Sequence, residues 1–269
     1  MRAHYRQRMM IGGDFAVVTA VPVFSDEVGG NPYERRRRPR YKPTSEAQAW
    51  ANKKRAEDYF FYLMHENFGL EDYRLSLTFK DECLPKNDLE LKRVMRNFIL
   101  RLRRRYEKYG IEMKLVWISE RASTGRYHIH GFLSGGLPLD EISKAWKVGI
   151  ADCDLLQYEK RGMAGYIHYV FKESILTKKW CATKNLKKPK ERKADAVLRR
   201  KDVAAIRRGD LQVLEQRLKG WEVIEAREEW EEPSVFNWSA VEATVRDNAV
   251  NGMPYLYIRL CRKGAKLSY

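Results

Sequence analysis

The sequence predicts an α+β fold: a ferredoxin-like, mostly antiparallel sheet with helices on one side, plus helical and extended N- and C-terminal additions. Three observations predict it. DYRLSLTFK (72–80) alternates Tyr73, Leu75, Leu77 and Phe79 with Arg74, Ser76, Thr78 and Lys80, the period of a half-buried strand. LELKRVMRNFILRLRRRYEKYG (89–110) sets Leu91, Val94, Phe98, Leu102 and Tyr106 at helical spacing, with arginines on the other face. KLVWISE and YHIHGFL, separated by the turn-like RASTGR, read as a hairpin. With a short helix at DEISKAW, a strand in 146–156 and a helix in GMAGYIHYVFKES, residues 71–175 spell β-α-β-β-α-β-α.

The flanks are read in order. Residues 1–43 are expected to be a basic, flexible arm: DFAVVTAVPVF (14–24) is a possible isolated strand, bracketed by glycines, and RRRRPRYK (35–42) is a basic run. A helix starts after Pro43, with Thr44 or Ser45 as its N-cap, and runs to about Phe68 before Gly69. From 176 the composition turns basic. Residues 194–220 read as a helix in two pieces split near Gly209, WEVIEAREEWEE as strand or helix, and MPYLYIRLCRK (253–263) as a late strand. The domain reading is therefore an arm (1–43), a main domain with its N-terminal helix (44–175), and a C-terminal extension or accessory module (176–269).

A formal charge of +16 points to an anionic partner, with nucleic acid ahead of a membrane surface. No run reaches the ~18 apolar residues of a spanning helix, and no signal-peptide core is present, so a cytoplasmic protein without a membrane partner is expected. Cys83, Cys153, Cys181 and Cys261 lie far apart without a C-x-x-C pair, which argues against a zinc ribbon or disulfide framework.

Chemistry concentrates between Glu120 and Lys172. His128 and His130 stand two apart on a strand, so both imidazoles share a face and Ile129 turns into the core. Glu120 ends the preceding strand and can meet them across the hairpin. Two imidazoles and a carboxylate make a mixed N/O donor set suited to Mn²⁺ or Mg²⁺. A structural role for the histidines, and an ordinary strand-end acid at Glu120, are the competing readings. Tyr166, Tyr169 and Lys172 recur at i, i+3, i+6 on one helical stripe. Amphipathic packing explains such a stripe as well as a phenolate nucleophile assisted by a neighbouring lysine does.

In this order, E-x7-H-I-H followed by Y-x-x-K resembles the HUH (His-hydrophobe-His) endonucleases, the replication initiators of rolling-circle plasmids and single-stranded DNA phages. KPTSEAQAWANKKRAE, RLSLTF, NFILRLRRRYEK, GRYHIHGFL and KKWCATKNLKKP are similar to replication-associated proteins of small plasmids and phages, over roughly residues 43–190. The resemblance implies metal ligation by His128, His130 and Glu120. It implies Tyr169 as the nucleophile with Lys172 beside it, leaving Tyr166 as a packing or helper residue or a second catalytic tyrosine. The implied reaction nicks and rejoins single-stranded or locally melted origin DNA through a 5′-phosphotyrosine. Host helicase and polymerase are the expected partners, since no P-loop is present. Arg35, Arg36, Arg37, Arg38 and Arg126 are the candidate DNA contacts. The alternatives are a non-catalytic module binding single-stranded DNA or RNA, and another HUH enzyme such as a transposase or relaxase.

Overall fold

The computed structural model describes residues 3–24, 46–121, 125–158, 162–172, 180–195, 197–223, 243–247 and 254–265. The chain forms two compact units. A split unit is built from Met1–Tyr62 and Pro189–Lys266; a central unit comprises Leu63–Lys188 with Leu267–Tyr269.

The chain begins as a hairpin rather than the expected flexible arm. Strands β1 (Ala3–Gly12) and β2 (Phe15–Phe24) pair antiparallel from Gly12↔Phe15 to Ala3↔Phe24. Gly13 takes φ 55°, a left-handed conformation that glycine adopts without strain, so the chain reverses within two residues. The β-branched run of β2 then has a local partner. Arg35, Arg36, Arg37 and Arg38 lie outside the described residues. Helix α1 (Glu46–Asn67) follows, close to its predicted bounds.

The central unit has the expected β-α-β-β-α-β order. Its elements are β3 (Tyr73–Leu77), α2 (Asp88–Lys108), β4 (Leu115–Arg121), β5 (Tyr127–Leu133), α3 (Leu139–Ala145), β6 (Ala151–Leu155), α4 (Ala164–Lys172) and β7 (Cys181–Ala182). The strands lie in the order β6-β3-β5-β4-β7, every pair antiparallel. The Asn87 side chain accepts from the Leu89 and Glu90 amides and so caps α2. Leu91, Met95, Phe98, Leu102 and Tyr106 then form one buried stripe on that helix. They pack on Leu75, Leu77, Leu115, Trp117, Ile129 and Leu133, together with Ile142 and Trp146 from around α3. Two arginines of α2 are used inside the fold: Arg101 Nε donates to Ala145 O (2.8 Å), and Arg105 pairs with Glu141 (3.0 Å). Helix α4 lies over the opposite face of the sheet, where Tyr166 packs on Phe132 at 5.0 Å.

The split unit closes with β8 (Lys190–Asp195), α5 (Arg200–Arg207), α6 (Gln212–Arg217), β9 (Trp221–Val223), β10 (Ala243–Asp247) and β11 (Pro254–Arg262). The helix break near Gly209 is where the sequence placed it, with that glycine at φ 91°. The sheet order is β10-β11-β2-β1-β8, with β9 also on β11. One face carries α5 and α6 over a core of Tyr5, Ala16, Val18, Ala20, Val203, Ile206, Leu256, Ile258 and Leu260. On the other face Phe61 of α1 meets Phe15 edge-on at 5.8 Å. There Asp58 accepts from the Tyr257 hydroxyl (2.6 Å) and pairs with Arg259 (3.3 Å), the two charged side chains being only 13% and 9% exposed. Removing one partner of a buried pair strands the other charge. Asp58→Ala is therefore expected to destabilise the protein by about 3–5 kcal/mol, read as a lower denaturant midpoint. An unchanged midpoint would mean that Arg259 finds water instead.

Candidate active site

The β4–β5 hairpin fixes the histidines by register. His128 stands opposite Glu120 and His130 opposite Ile118, all on the face away from the α2 core. Ile129 points the other way and is fully buried, as the alternation requires. The diagonal neighbours His130 and Glu120 meet: Nε2 lies 2.9 Å from Oε2. Burial holds the His130 imidazole below its ordinary pKa, and nearby His128 adds to this, while the Glu120 hydrogen bond opposes it. The ring is thus neutral near pH 7. Since an ionised carboxylate only accepts, Nε2 carries the proton in this contact.

Helix α4 brings the tyrosines to the same face, where they differ sharply. Tyr169 is 52% exposed, and its ring sits edge-on to His130 with centroids 5.2 Å apart. The Tyr166 hydroxyl instead points into the sheet, donating to Gly131 O (3.1 Å) with Leu75 O at 3.3 Å. Burial pushes its pKa up, against the lowering effects of the Gly131 bond and Arg74. A phenol in that setting is a poor source of phenolate. Tyr166→Phe keeps the ring packing and removes one net hydrogen bond. It is expected to cost about 1 kcal/mol of stability, measured by denaturant melting, while leaving DNA–protein adduct formation within about tenfold of the unaltered protein, since one such bond is worth less than that factor. Loss of the adduct would return Tyr166 to the chemistry.

The donor set suits a divalent ion in part. The 2.9 Å between Nε2 and Oε2 equals the separation of two adjacent octahedral ligands at about 2.0–2.1 Å from a shared ion. The three side chains are not gathered, however: among the described residues no group of three His, Cys, Asp or Glu stands close enough to hold an ion. The pair is closed by its own hydrogen bond. The Lys172 backbone completes α4, but its side chain lies outside the described residues. Arg126 is turned inward, with its guanidinium on the Asp81 carboxylate and on Phe79 O. The Cys153 thiol is pushed up to about 12 by burial, with Asp152 and Asp154 adding to it, so it stays protonated.

Sequence reasoning missed two residues here. Ser76 lies opposite His130 on β3, bringing a hydroxyl to the histidine face. Its signal was the polar half of the RLSLTF alternation, which had no face assigned until the register was known. Gly131 permits a close approach: a Cβ there would lie 2.5 Å from Val116 O. The glycine directly after H-I-H was the available clue.

No helix among the described residues is long and apolar enough to cross a membrane. Neither the curated proteins nor the solved structures contain a match to the chain. Residues 72–174, from the threshold of β3 to just past α4, match the family of the replication-associated protein ORF2, and that span contains the histidine pair, Glu120 and both tyrosines.

Proposed function

We propose that the protein is a replication initiator that nicks and rejoins single-stranded origin DNA through a covalent 5′-phosphotyrosine, starting rolling-circle replication. The observation that carries the proposal is the exposed Tyr169 ring seated against His130, which is itself bonded to Glu120. A nucleophile that must reach a phosphodiester has to be accessible, and among the two α4 tyrosines Tyr169 is the accessible one. The family match over 72–174 supports a role in DNA replication.

In this mechanism Tyr169 Oη forms a bond to phosphorus while the P–O3′ bond breaks on the opposite side. The phenol loses its proton and the departing 3′ oxygen gains one. The 3′-OH can prime synthesis, and the phosphotyrosine keeps the strand rejoinable. Lys172, one turn further along α4, supplies positive charge to the phenolate or the phosphate. His128, His130 and Glu120 would hold a divalent ion, Mn²⁺ or Mg²⁺, whose chemistry there is Lewis-acid polarisation of the scissile phosphate. Neutral His130 is already in the protonation state that a ligand needs. Single-stranded or melted origin DNA is the substrate, and unwinding and extension fall to a host helicase and polymerase.

The test is a cleavage assay on circular single-stranded DNA carrying the origin region, with and without Mn²⁺, run on denaturing gels before and after protease. A metal-dependent nick with a protease-sensitive adduct is expected. Tight binding without any nick, across several origin fragments, would favour a module that holds DNA without cutting it.

A further inference from the structure

The split unit lies almost wholly outside the family match, and it carries a cationic face that the nicking reaction does not use. Between Pro189 and Arg208 there are eight Lys or Arg and three Asp or Glu. Two of those acids are already neutralised. Glu191 sits between Arg8 (2.9 Å) and Lys193 (3.5 Å), and Asp202 accepts from the Arg199 amide and pairs with Arg217 (3.1 Å). Helix α5 leaves Arg199, Arg200, Lys201, Arg207 and Arg208 at the surface. The ion pairs of this unit use Arg8, Lys193, Arg217, Arg259, Arg262 and Lys263; among the described residues none engages Arg200, Lys201 or Arg208. Register adds to the patch. Lys190 and Arg192 stand opposite Ile11 and Met9, hence on the sheet face that carries α5, and both are exposed.

We propose that this face of the split unit, centred on Arg200, Lys201 and Arg208, binds the phosphate backbone of duplex DNA. Three features select that partner. Arg200 and Arg207 are seven residues apart on the helix, about 10.5 Å along its axis, close to the ~12 Å width of a major groove bordered by phosphates. No aromatic residue occurs between Pro189 and Arg208, so the base-stacking platform that single strands need is missing from this face. Val203 and Ile206 are buried in the core at 1% and 4% exposure, which leaves α5 no apolar side to enter a bilayer. The proposal stands whether or not the protein nicks DNA.

The test measures anisotropy of a labelled, origin-free duplex of about 20 base pairs with the full-length protein, across a salt series; the log–log slope is about −0.9 per phosphate contact. The variant Arg200→Gln/Lys201→Gln/Arg208→Gln is expected to lose at least tenfold in duplex affinity near 0.1 M salt. Its slope should be shallower by about 2.7, three contacts' worth. The charge-preserving Arg200→Lys/Lys201→Arg/Arg208→Lys variant should keep most of the binding. Lys201 of the unaltered protein should be protected from amine acylation by the duplex, a readout that needs no variant. Unchanged duplex affinity and slope in the glutamine variant, Lys201 reactivity indifferent to duplex, or a loss confined to oligo-dT would each overturn the proposal.

Discussion

Tyr169→Phe is expected to abolish the protease-sensitive DNA adduct while leaving DNA binding intact. The substitution removes one oxygen from a ring that is half in solvent, so neither the core nor the edge contact with His130 is lost. What disappears is the atom that bonds to phosphorus. Deleting a nucleophile typically costs from thousands to millions in rate, and a loss of at least about a thousandfold is the figure to look for on the denaturing gel. Anisotropy with single-stranded origin DNA should move by less than about twofold, within the ±0.5 kcal/mol usual for surface changes. An adduct that persists in this variant would place the nucleophile elsewhere; loss of binding together with cleavage would mean that Tyr169 holds DNA rather than cutting it.

The second large effect belongs to the histidines. His128→Ala/His130→Ala removes both imidazoles from the face that Tyr169 shares. If the pair holds the divalent ion, the lost charge stabilisation amounts to several kcal/mol, and each ~1.4 kcal/mol is tenfold in rate. Nicking should therefore fall at least about a hundredfold. Mn²⁺ binding, read by calorimetry independently of cleavage, should fall with it. Glu120→Gln is the milder companion: its amide oxygen can still accept from His130 Nε2, but the anionic ligand is gone, so metal affinity should drop while the fold stays. Cleavage at the unaltered rate in the double variant would remove the ion from the mechanism.

The sequence made the central unit readable because its signals are local. Alternation in RLSLTF and in YHIHGFL, and the stripe from Leu91 to Tyr106, each specify one element and the face it buries. The hairpin turn then sets Glu120 against His128 with no long-range knowledge. Tyr166 and Tyr169 were not separable by the same means. Residues three apart on a helix differ in direction by only about 60°, and whether the hydroxyl ends in the sheet or in solvent depends on the backbone carbonyls of Gly131 and Leu75. The split unit was harder still. DFAVVTAVPVF looks unpartnered because β11, its neighbour on one side, lies more than two hundred residues away, and β8 is a lysine- and arginine-rich strand without apolar alternation. Edge strands facing solvent need no buried period, so KERKAD carries none. Arg126 illustrates the limit of charge counting, since its contacts are to Asp81 and Phe79 within its own unit.

The pairing of β2 with β11 joins Ala20 to Leu256 and Phe15 to Cys261, and this has a consequence for synthesis on the ribosome. At about 5–20 residues per second, β2 emerges roughly 10–50 s before the strand that will cover its edge. Through that interval the Val17–Val18 stretch has one open row of backbone donors and acceptors, the kind of edge that recruits other chains. The central unit, complete by Lys188, has no such wait. A nascent chain would thus contain a finished nicking fold beside an unfinished sheet. Slowing translation should lengthen the exposure of that edge without delaying the fold that carries the histidines.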